Sequence, residues 1–192
     1  MAFGRTGSLF VSKELNISPT FLCLSKGITS GYLPLAATLT TEEIYSAFYD
    51  DFSNWKLFIH SHSYSANPLA CSVANETLAI LNENNFVRNL QPKINLIGQM
   101  GKKICEESKW CGEFRQQGMI AALELVKNKN SKKPFLLESR VGYKIYLEGL
   151  KRGIFLRPLG DVIYFIPPLV ISEEEIKRMM TIAQECIAAV LD

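Results

Sequence analysis

The chain has 192 residues, of which 47% are hydrophobic, so it can bury one core or two smaller ones. Its 21 basic and 19 acidic side chains leave a net charge of +2, which excludes the strongly charged surface that a nucleic-acid partner requires. The five cysteines have no short paired spacing, which predicts reduced thiols in the cytoplasm and no zinc site. No leader-like start and no stretch near ~18 apolar residues is present, so a soluble, unexported protein is expected.

The first part of the chain predicts short strands that alternate with helices. Apolar segments predict three strands, at residues 20–24, 32–39 and 58–60, of which the first two are expected to be buried. After the second strand, hydroxyl residues Thr40 and Thr41 precede two acids, a pattern that favours the start of a short helix. A longer helix is expected over residues 69–81, with Asn67 as its N-cap.

A polar Asn-Glu-Asn-Asn stretch predicts a boundary between two lobes, residues 1–84 and 85–192. The elements expected in the second lobe are helices at 86–108 and 137–151, a strand at 119–126, a hairpin of 153–157 with 162–167, and a final helix. Gly153 is the expected C-cap of the helix before it, and Ser172 with Glu175 forms a capping-box pattern. These elements predict an α/β chain in two parts, with helices packed on a small mixed sheet in the second.

Lys26 is the first residue whose setting suggests chemistry. It follows a predicted apolar strand and precedes Gly27, so its ammonium is expected to lie near the core. Burial lowers the pKa of a lysine because it disfavours the charged form, and the neutral amine is the form that attacks a carbonyl. The alternative is an exposed lysine in a turn that the glycine permits. The residues around Lys26 favour the first interpretation.

Three segments in order resemble the class III aminotransferases, which are pyridoxal-phosphate enzymes of fold type I. The segments are residues 3–7 (FGRTG), 22–37 (LCLSKGITSGYLPLAA) and 60–71 (HSHSYSANPLAC). The resemblance implies that residues 1–84 are the end of the cofactor-binding large domain and that residues 85–192 are the small carboxy-terminal domain. It also implies pyridoxal 5′-phosphate as the cofactor, with Lys26 as the catalytic lysine that holds it as a Schiff base.

The same resemblance implies two further cofactor-binding residues before the long helix, His62 and Ser63. Ser63 matches a hydroxyl residue that reaches across a homodimer to the cofactor phosphate, and a hydroxyl near a helix start can hydrogen-bond a phosphate. A serine that only caps the helix is the alternative. His60 and His62 alternate as metal ligands would, but two histidines without a third ligand do not favour a metal site.

A fourth segment, residues 153–168 (GIFLRPLGDVIYFIPP), resembles the diaminopelargonate aminotransferases of biotin synthesis. This resemblance implies that Arg157 binds the substrate carboxylate and that Tyr164 lines the substrate pocket. A planar guanidinium suits that task because it can hold a carboxylate through two parallel hydrogen bonds. The alternatives are a surface salt bridge for Arg157 and a half-buried hairpin residue for Tyr164.

The reaction that this resemblance implies moves an amino group from S-adenosylmethionine, or from lysine in some members, to 8-amino-7-oxononanoate. The product is 7,8-diaminononanoate. The family's Asp-Glu pair, phosphate loop and ring-stacking aromatic residue precede the first matched segment, so the chain is expected to be an inactive fragment of a split, frameshifted or incompletely assigned gene. Another class III ω-aminotransferase and a non-catalytic remnant are the alternatives.

Overall fold

The computed structural model describes residues 3–192, except for the side chain of Asn84. The described chain forms two compact units. The first consists of Phe3 and Ser8–Phe86, and the second of Gly4–Gly7 and Val87–Asp192. The loop Gly4–Gly7 therefore belongs to the second unit, although the residues on both sides of it belong to the first.

The first unit has a two-stranded antiparallel sheet and three helices. Its elements are α1 (Val11–Glu14), β1 (Phe21–Ser25), β2 (Ala36–Thr40), α2 (Glu42–Ser46) and α3 (Pro68–Asn82), with 3-10 turns at Lys26–Thr29, Phe52–Asn54 and Glu83–Asn85. Phe21 pairs with Thr40, and Ser25 pairs with Ala36. The second strand begins at Ala36, later than predicted, because Ser30 and Gly31 have positive φ angles of 50° and 85° and the turn extends to Tyr32, whose amide donates to the Thr29 carbonyl. The strand predicted at residues 58–60 is wrong, because that segment has no regular structure.

The prediction that the first two strands are buried is also wrong for the described chain. Residues of β1 alternate between exposed and half-buried, and most residues of β2 are exposed. Phe21 is 56% exposed and Leu39 is 50% exposed. Each strand has one hydrogen-bonded neighbour, and the small core of Phe3, Ile28, Ala74 and Leu81 covers only one side of the hairpin.

Helix α3 begins as the sequence predicts. The Asn67 side-chain oxygen Oδ1 accepts hydrogen bonds from the amides of Leu69 at 3.0 Å and Ala70 at 3.2 Å. These bonds satisfy two of the amides that lack partners within the first helical turn, so Asn67 is confirmed as the N-cap. Buried residues recur every three or four positions along α3, which gives the helix one face toward the core of the first unit.

The second unit packs helices on one four-stranded sheet. Its elements are α4 (Gln91–Glu107), β3 (Cys111–Gln117), β4 (Ile120–Leu125), α5 (Val141–Lys151), β5 (Arg157–Leu159), β6 (Val162–Phe165) and α6 (Glu173–Leu191). The strand order is β3-β4-β6-β5, and every neighbouring pair is antiparallel, so the predicted mixed sheet is wrong. Two short hairpin turns build this sheet, whereas a parallel pair would need a long crossover connection. Strand β3 was not predicted.

The caps predicted in the second unit are confirmed. Gly153 has a φ of 74°, and its amide donates to the Leu150 carbonyl while the Ile154 amide donates to the Gly149 carbonyl. This is the Schellman arrangement that ends helices at a left-handed glycine. At the start of α6, Ser172 and Glu175 each bond the other's backbone amide, as a capping box does.

The core of the second unit lies between the helices and one face of the sheet. Its fully buried residues include Ile97, Leu123, Ile145, Ile163, Ile176 and Met180. Strands β4 and β6 alternate, so that every second side chain enters this core and the others lie on the opposite face, called here the outer face. Among the helices in the described part of the chain, none is long and apolar enough to cross a membrane.

Candidate functional site

Lys26 is the first residue of the 3-10 turn that follows β1. Its φ is 55°, in the left-handed region, and its side chain is exposed rather than held near the core as expected. Gly27 follows Lys26, and the last two residues of the turn, Ile28 and Thr29, are buried. The Thr29 hydroxyl donates to the Leu33 carbonyl at 2.5 Å. The backbone that carries Lys26 is therefore anchored, while its amine is accessible.

His62 and Ser63 lie in an exposed turn that leads into α3. The His62 amide donates to the Ser65 hydroxyl at 3.1 Å, and the Tyr64 amide donates to His62 Nδ1 at 3.1 Å. Because Asn67 caps α3, the alternative that Ser63 is the capping serine is wrong. Ser63 is thus an exposed hydroxyl in the same unit as Lys26.

Histidine, cysteine and carboxylate side chains do not gather into a metal site within residues 3–192 as described. The His60 ring lies 5.8 Å from the Phe58 ring, and the His62 ring lies 6.1 Å from the Tyr64 ring, measured between centroids. Both histidines therefore have aromatic neighbours. Their alternation along the sequence has no counterpart in a regular strand.

Arg157 and Tyr164 are brought together on the outer face of the second unit. They are directly opposite each other in the β5-β6 hairpin, and the guanidinium carbon lies 5.9 Å from the centre of the tyrosine ring. That distance is at the outer limit of a cation–π interaction. Tyr164 is half-buried and Arg157 is exposed, whereas Ile163 and Phe165 on either side of Tyr164 enter the core.

A second arginine lies in the same row of the outer face. The strand register places Arg157, Tyr164, Ala122 and Arg115 side by side across the sheet. Arg115 forms ion pairs with Glu113, at 2.9 Å, and with Glu124, and these carboxylates raise the pKa of its guanidinium. In the described part of the chain, Arg157 forms no ion pair within 4.0 Å.

The loop Gly4–Gly7 packs against the β3-β4 turn. The Arg5 carbonyl accepts from the Met119 amide at 3.0 Å, and its guanidinium, whose pKa burial lowers, donates to the Pro167 carbonyl. Gly118 has a φ of 59°, and a Cβ atom there would lie 2.2 Å from the Thr6 carbonyl carbon. This loop is one of the segments that resemble the family, but the sequence does not predict its contacts. Its signal was the run of glycines, which permits such close backbone approach.

Residues 2–187 match the family described as aminotransferase class-III, and the chain belongs to this family. It is 47% identical over 178 residues to the adenosylmethionine-8-amino-7-oxononanoate aminotransferase of Aquifex aeolicus, a match that covers 93% of this chain and 39% of that protein. The protein of that name from Geobacter sulfurreducens is 45% identical over 176 residues, with 92% and 39% covered. The chain therefore spans about two fifths of the length of these relatives.

Solved structures confirm the predicted fold. The adenosylmethionine-8-amino-7-oxononanoate aminotransferase of Methanocaldococcus jannaschii superimposes with a TM-score of 0.90 at 41% identity, covering all of this chain and 44% of that one. A pyridoxamine-phosphate (PMP)-bound aminotransferase from Vibrio fluvialis superimposes with a TM-score of 0.91 at 26% identity. The described chain is thus part of a fold type I transferase, as the resemblance implied.

Proposed function

We propose that this chain supplies part of the active site of a pyridoxal-phosphate-dependent aminotransferase of biotin synthesis. The enzyme would transfer an amino group from S-adenosylmethionine to 8-amino-7-oxononanoate and would act in the cytoplasm as a homodimer. Relatives that bear the name of this activity support the proposal, at up to 47% identity. The structural observation that carries it is the pair of Arg157 and Tyr164 on the outer face. Arg115 in the same row pairs with two glutamates, whereas Arg157 pairs with no carboxylate of the described residues.

The residues present fit the cofactor chemically. Lys26 offers an exposed primary amine on an anchored turn, and Ser63 offers an exposed hydroxyl just before a helix. When bound, pyridoxal 5′-phosphate supplies an electron sink for a substrate carbanion. Lys26 would hold the cofactor covalently and then, as a released amine, would move a proton at the substrate's α carbon as a general acid and base.

The remaining predicted residues have binding roles. Ser63, with His62 beside it, would bind the phosphate of the cofactor in the neighbouring subunit, which is why a homodimer is part of the proposal. Arg157 would hold the distal carboxylate of 8-amino-7-oxononanoate through two parallel hydrogen bonds. Tyr164 would support the guanidinium with its ring and form a wall of the substrate site.

Because the chain spans about two fifths of its relatives, we propose that it is inactive without the part of the enzyme that they have and it does not cover. The alternatives are another class III ω-aminotransferase and a non-catalytic remnant. The first has some support, since several solved transaminases superimpose on the chain at 26–30% identity. Both are separated from the main proposal by one assay.

The assay uses a fusion in which the amino-terminal part of the Aquifex aeolicus relative, up to the start of the matched region, precedes this chain. With pyridoxal 5′-phosphate and S-adenosylmethionine, the fusion is expected to consume 8-amino-7-oxononanoate, and the unfused chain is not. Arg157→Ala should lower kcat/KM for this acceptor by about 10- to 150-fold, which corresponds to roughly 1.5–3 kcal/mol of charged hydrogen bonding.

Arg115→Ala is the matched control, because Arg115 lies in the same outer-face row but is paired with two glutamates. It should leave kcat/KM close to that of the parent fusion. If Arg157→Ala still transfers amino groups to acceptors other than 8-amino-7-oxononanoate, the result supports a carboxylate-binding role for Arg157. Equal losses for the two variants would contradict that role, and turnover by the unfused chain would contradict its dependence on the rest of the enzyme.

A further inference from the structure

Two residues with left-handed backbone conformations adjoin Gly27 in the first unit: Lys26 precedes it in the chain, and Phe3 packs beside it. Lys26 has a φ of 55°, and Phe3 has a φ of 60°. Side chains make this conformation costly for residues other than glycine. It persists only where the surrounding structure holds it, and such strain is concentrated at functional sites.

The Phe3 ring contacts the glycine that follows Lys26. A Cβ atom at position 27 would lie 2.8 Å from Phe3 Cδ2 and 3.2 Å from Phe3 Cβ, so only glycine leaves room for the ring. Phe3 is 6% exposed, its amide donates to the Leu9 carbonyl at 2.7 Å, and its ring packs edge-on against Phe10 at 5.6 Å. The ring is therefore itself held in place.

The opposite side of the same turn is also fixed. Ile28 is 7% exposed and packs in one cluster with Phe3, Ala74 and Leu81, the last two from α3. Thr29 is 1% exposed and bonds the Leu33 carbonyl. The backbone is thus constrained immediately after Lys26, while the lysine side chain is exposed. These contacts constrain the direction in which Lys26 leaves the backbone, and they leave its amine accessible.

We propose that Phe3 is a positioning residue for Lys26, and that it acts through Gly27. The ring occupies the space beside the Gly27 backbone and keeps Lys26 left-handed, so that the side chain leaves the strand end in one direction. The role rests on the proposed function of Lys26 as the lysine that holds the cofactor. Phe3 itself touches neither substrate nor cofactor in this proposal.

The test compares Lys26→Gly with Lys26→Ala in the 192-residue chain. Glycine accepts a left-handed φ without steric cost, so Lys26→Gly should show amide protection factors in α3 about 3- to 10-fold higher than Lys26→Ala. Hydrogen exchange of α3 is the measurement because this helix packs on the turn and reports opening of the first unit. In a Phe3→Ala background the turn can relax, and the difference should disappear.

Controls separate positioning from simple stability. Leu81→Ala removes a side chain from the same cluster, but the three atoms nearest to a Cβ atom at position 27 all belong to Phe3, so this variant should lower protection and preserve the glycine–alanine difference. Phe3→Leu keeps an apolar side chain against Gly27 and should retain most of the difference. Gly27→Ala displaces the ring from the other side and should abolish it, which provides a second variant if Phe3→Ala does not fold.

A second measurement tests whether the backbone conformation at Lys26 affects the reaction of its amine. In the fusion described above, Phe3→Ala should attach pyridoxal 5′-phosphate to Lys26 several-fold more slowly, measured by the visible absorbance band, and Leu81→Ala should not. An unchanged glycine–alanine difference in the Phe3→Ala background would overturn the proposal, as would loss of the difference in Leu81→Ala. The exchange comparison involves no cofactor, so a Lys26 that never takes pyridoxal 5′-phosphate would refute the proposed function separately.

Discussion

Asp50 shows how exposed charges act within the first unit. Lys56 Nζ lies 2.7 Å from one carboxylate oxygen, while the Asn54 side chain and the Asp51 amide donate to the other at 3.0 and 2.7 Å. These donors, the Lys56 ammonium first, lower the pKa of Asp50 to about 2. Because the folded-state pKa lies below the ordinary aspartate value of 3.8, the stabilisation is present above pH ~4 and is lost as pH falls toward ~2.

We therefore expect Lys56→Met to raise the pKa of Asp50 toward its ordinary value, as measured by side-chain carboxyl NMR titration. Lys103→Met is the control, since Lys103 forms its ion pair with Glu107 in the second unit. It should not move the Asp50 titration. A Lys56→Met protein whose Asp50 still titrates near pH 2 would show that the amide and asparagine donors suffice.

At the scale of single residues, sequence motifs name the candidate site residues but do not give the exposure or the partners of their side chains. Sequence motifs select Lys26, Arg157 and Tyr164 as candidate site residues, and the hairpin register places the last two opposite each other. The sequence offered both a Lys26 near the core and a Lys26 exposed in a turn, and it does not decide between them because exposure depends on which neighbours of the turn enter the core. The ion pair of Arg115 with Glu124 could not be predicted either, because it requires pairing between β3 and β4, and β3 was not predicted.

The β3-β4 turn depends on one glycine. Gly118 needs a left-handed φ, and any Cβ there would collide with the Thr6 backbone at 2.2 Å. Gly160 in the β5-β6 turn has a similar φ of 61°, but a Cβ atom at this position would lie more than 4 Å from any described atom beyond its two chain neighbours. The two glycines therefore share the conformational requirement and differ in packing.

Gly160→Ala should destabilise the second unit by about 1–2 kcal/mol, the cost of a left-handed alanine. Gly118→Ala should cost clearly more, because backbone atoms cannot move aside as the end of a side chain can. Hydrogen exchange of the β4 amides measures both effects, since β4 lies in the middle of the sheet. Equal losses in the two variants would mean that the loop Gly4–Gly7 yields easily.

Elements were predictable where the determining interactions are local. The N-cap Asn67, the Schellman glycine Gly153 and the capping box at Ser172 each act within a few residues of sequence, and all three are confirmed. Strand β3 was missed because glutamate, arginine and glutamine interrupt its apolar pattern. Residues 58–60 were predicted as a strand from a short apolar segment, and they have no partner strand in the described chain.

Across the whole molecule, apolar exposure is concentrated in the first unit. Large side chains of its middle segment that are at least half exposed include Tyr45, Tyr49, Phe52, Trp55, Phe58 and Ile59. Within residues 3–192, each strand of the β1-β2 hairpin also has one edge without a partner strand. Exposed apolar side chains and open strand edges are the kinds of surface on which more protein packs. The second unit, by contrast, has a larger hydrophobic core, with 17 buried residues against four in the cluster of the first unit.

We expect the amino-terminal part of the Aquifex aeolicus relative to cover this surface when it is fused to the chain. Amide exchange in β1 and β2 should slow by at least ~10-fold in the fusion, because strand edges gain partners, whereas the already enclosed β4 should change little. Binding of the dye 1-anilinonaphthalene-8-sulfonate should fall in parallel, since it reports exposed apolar surface. Unchanged exchange in both strands would mean that this surface faces solvent in the longer protein as well, and would argue for a different role of the first unit.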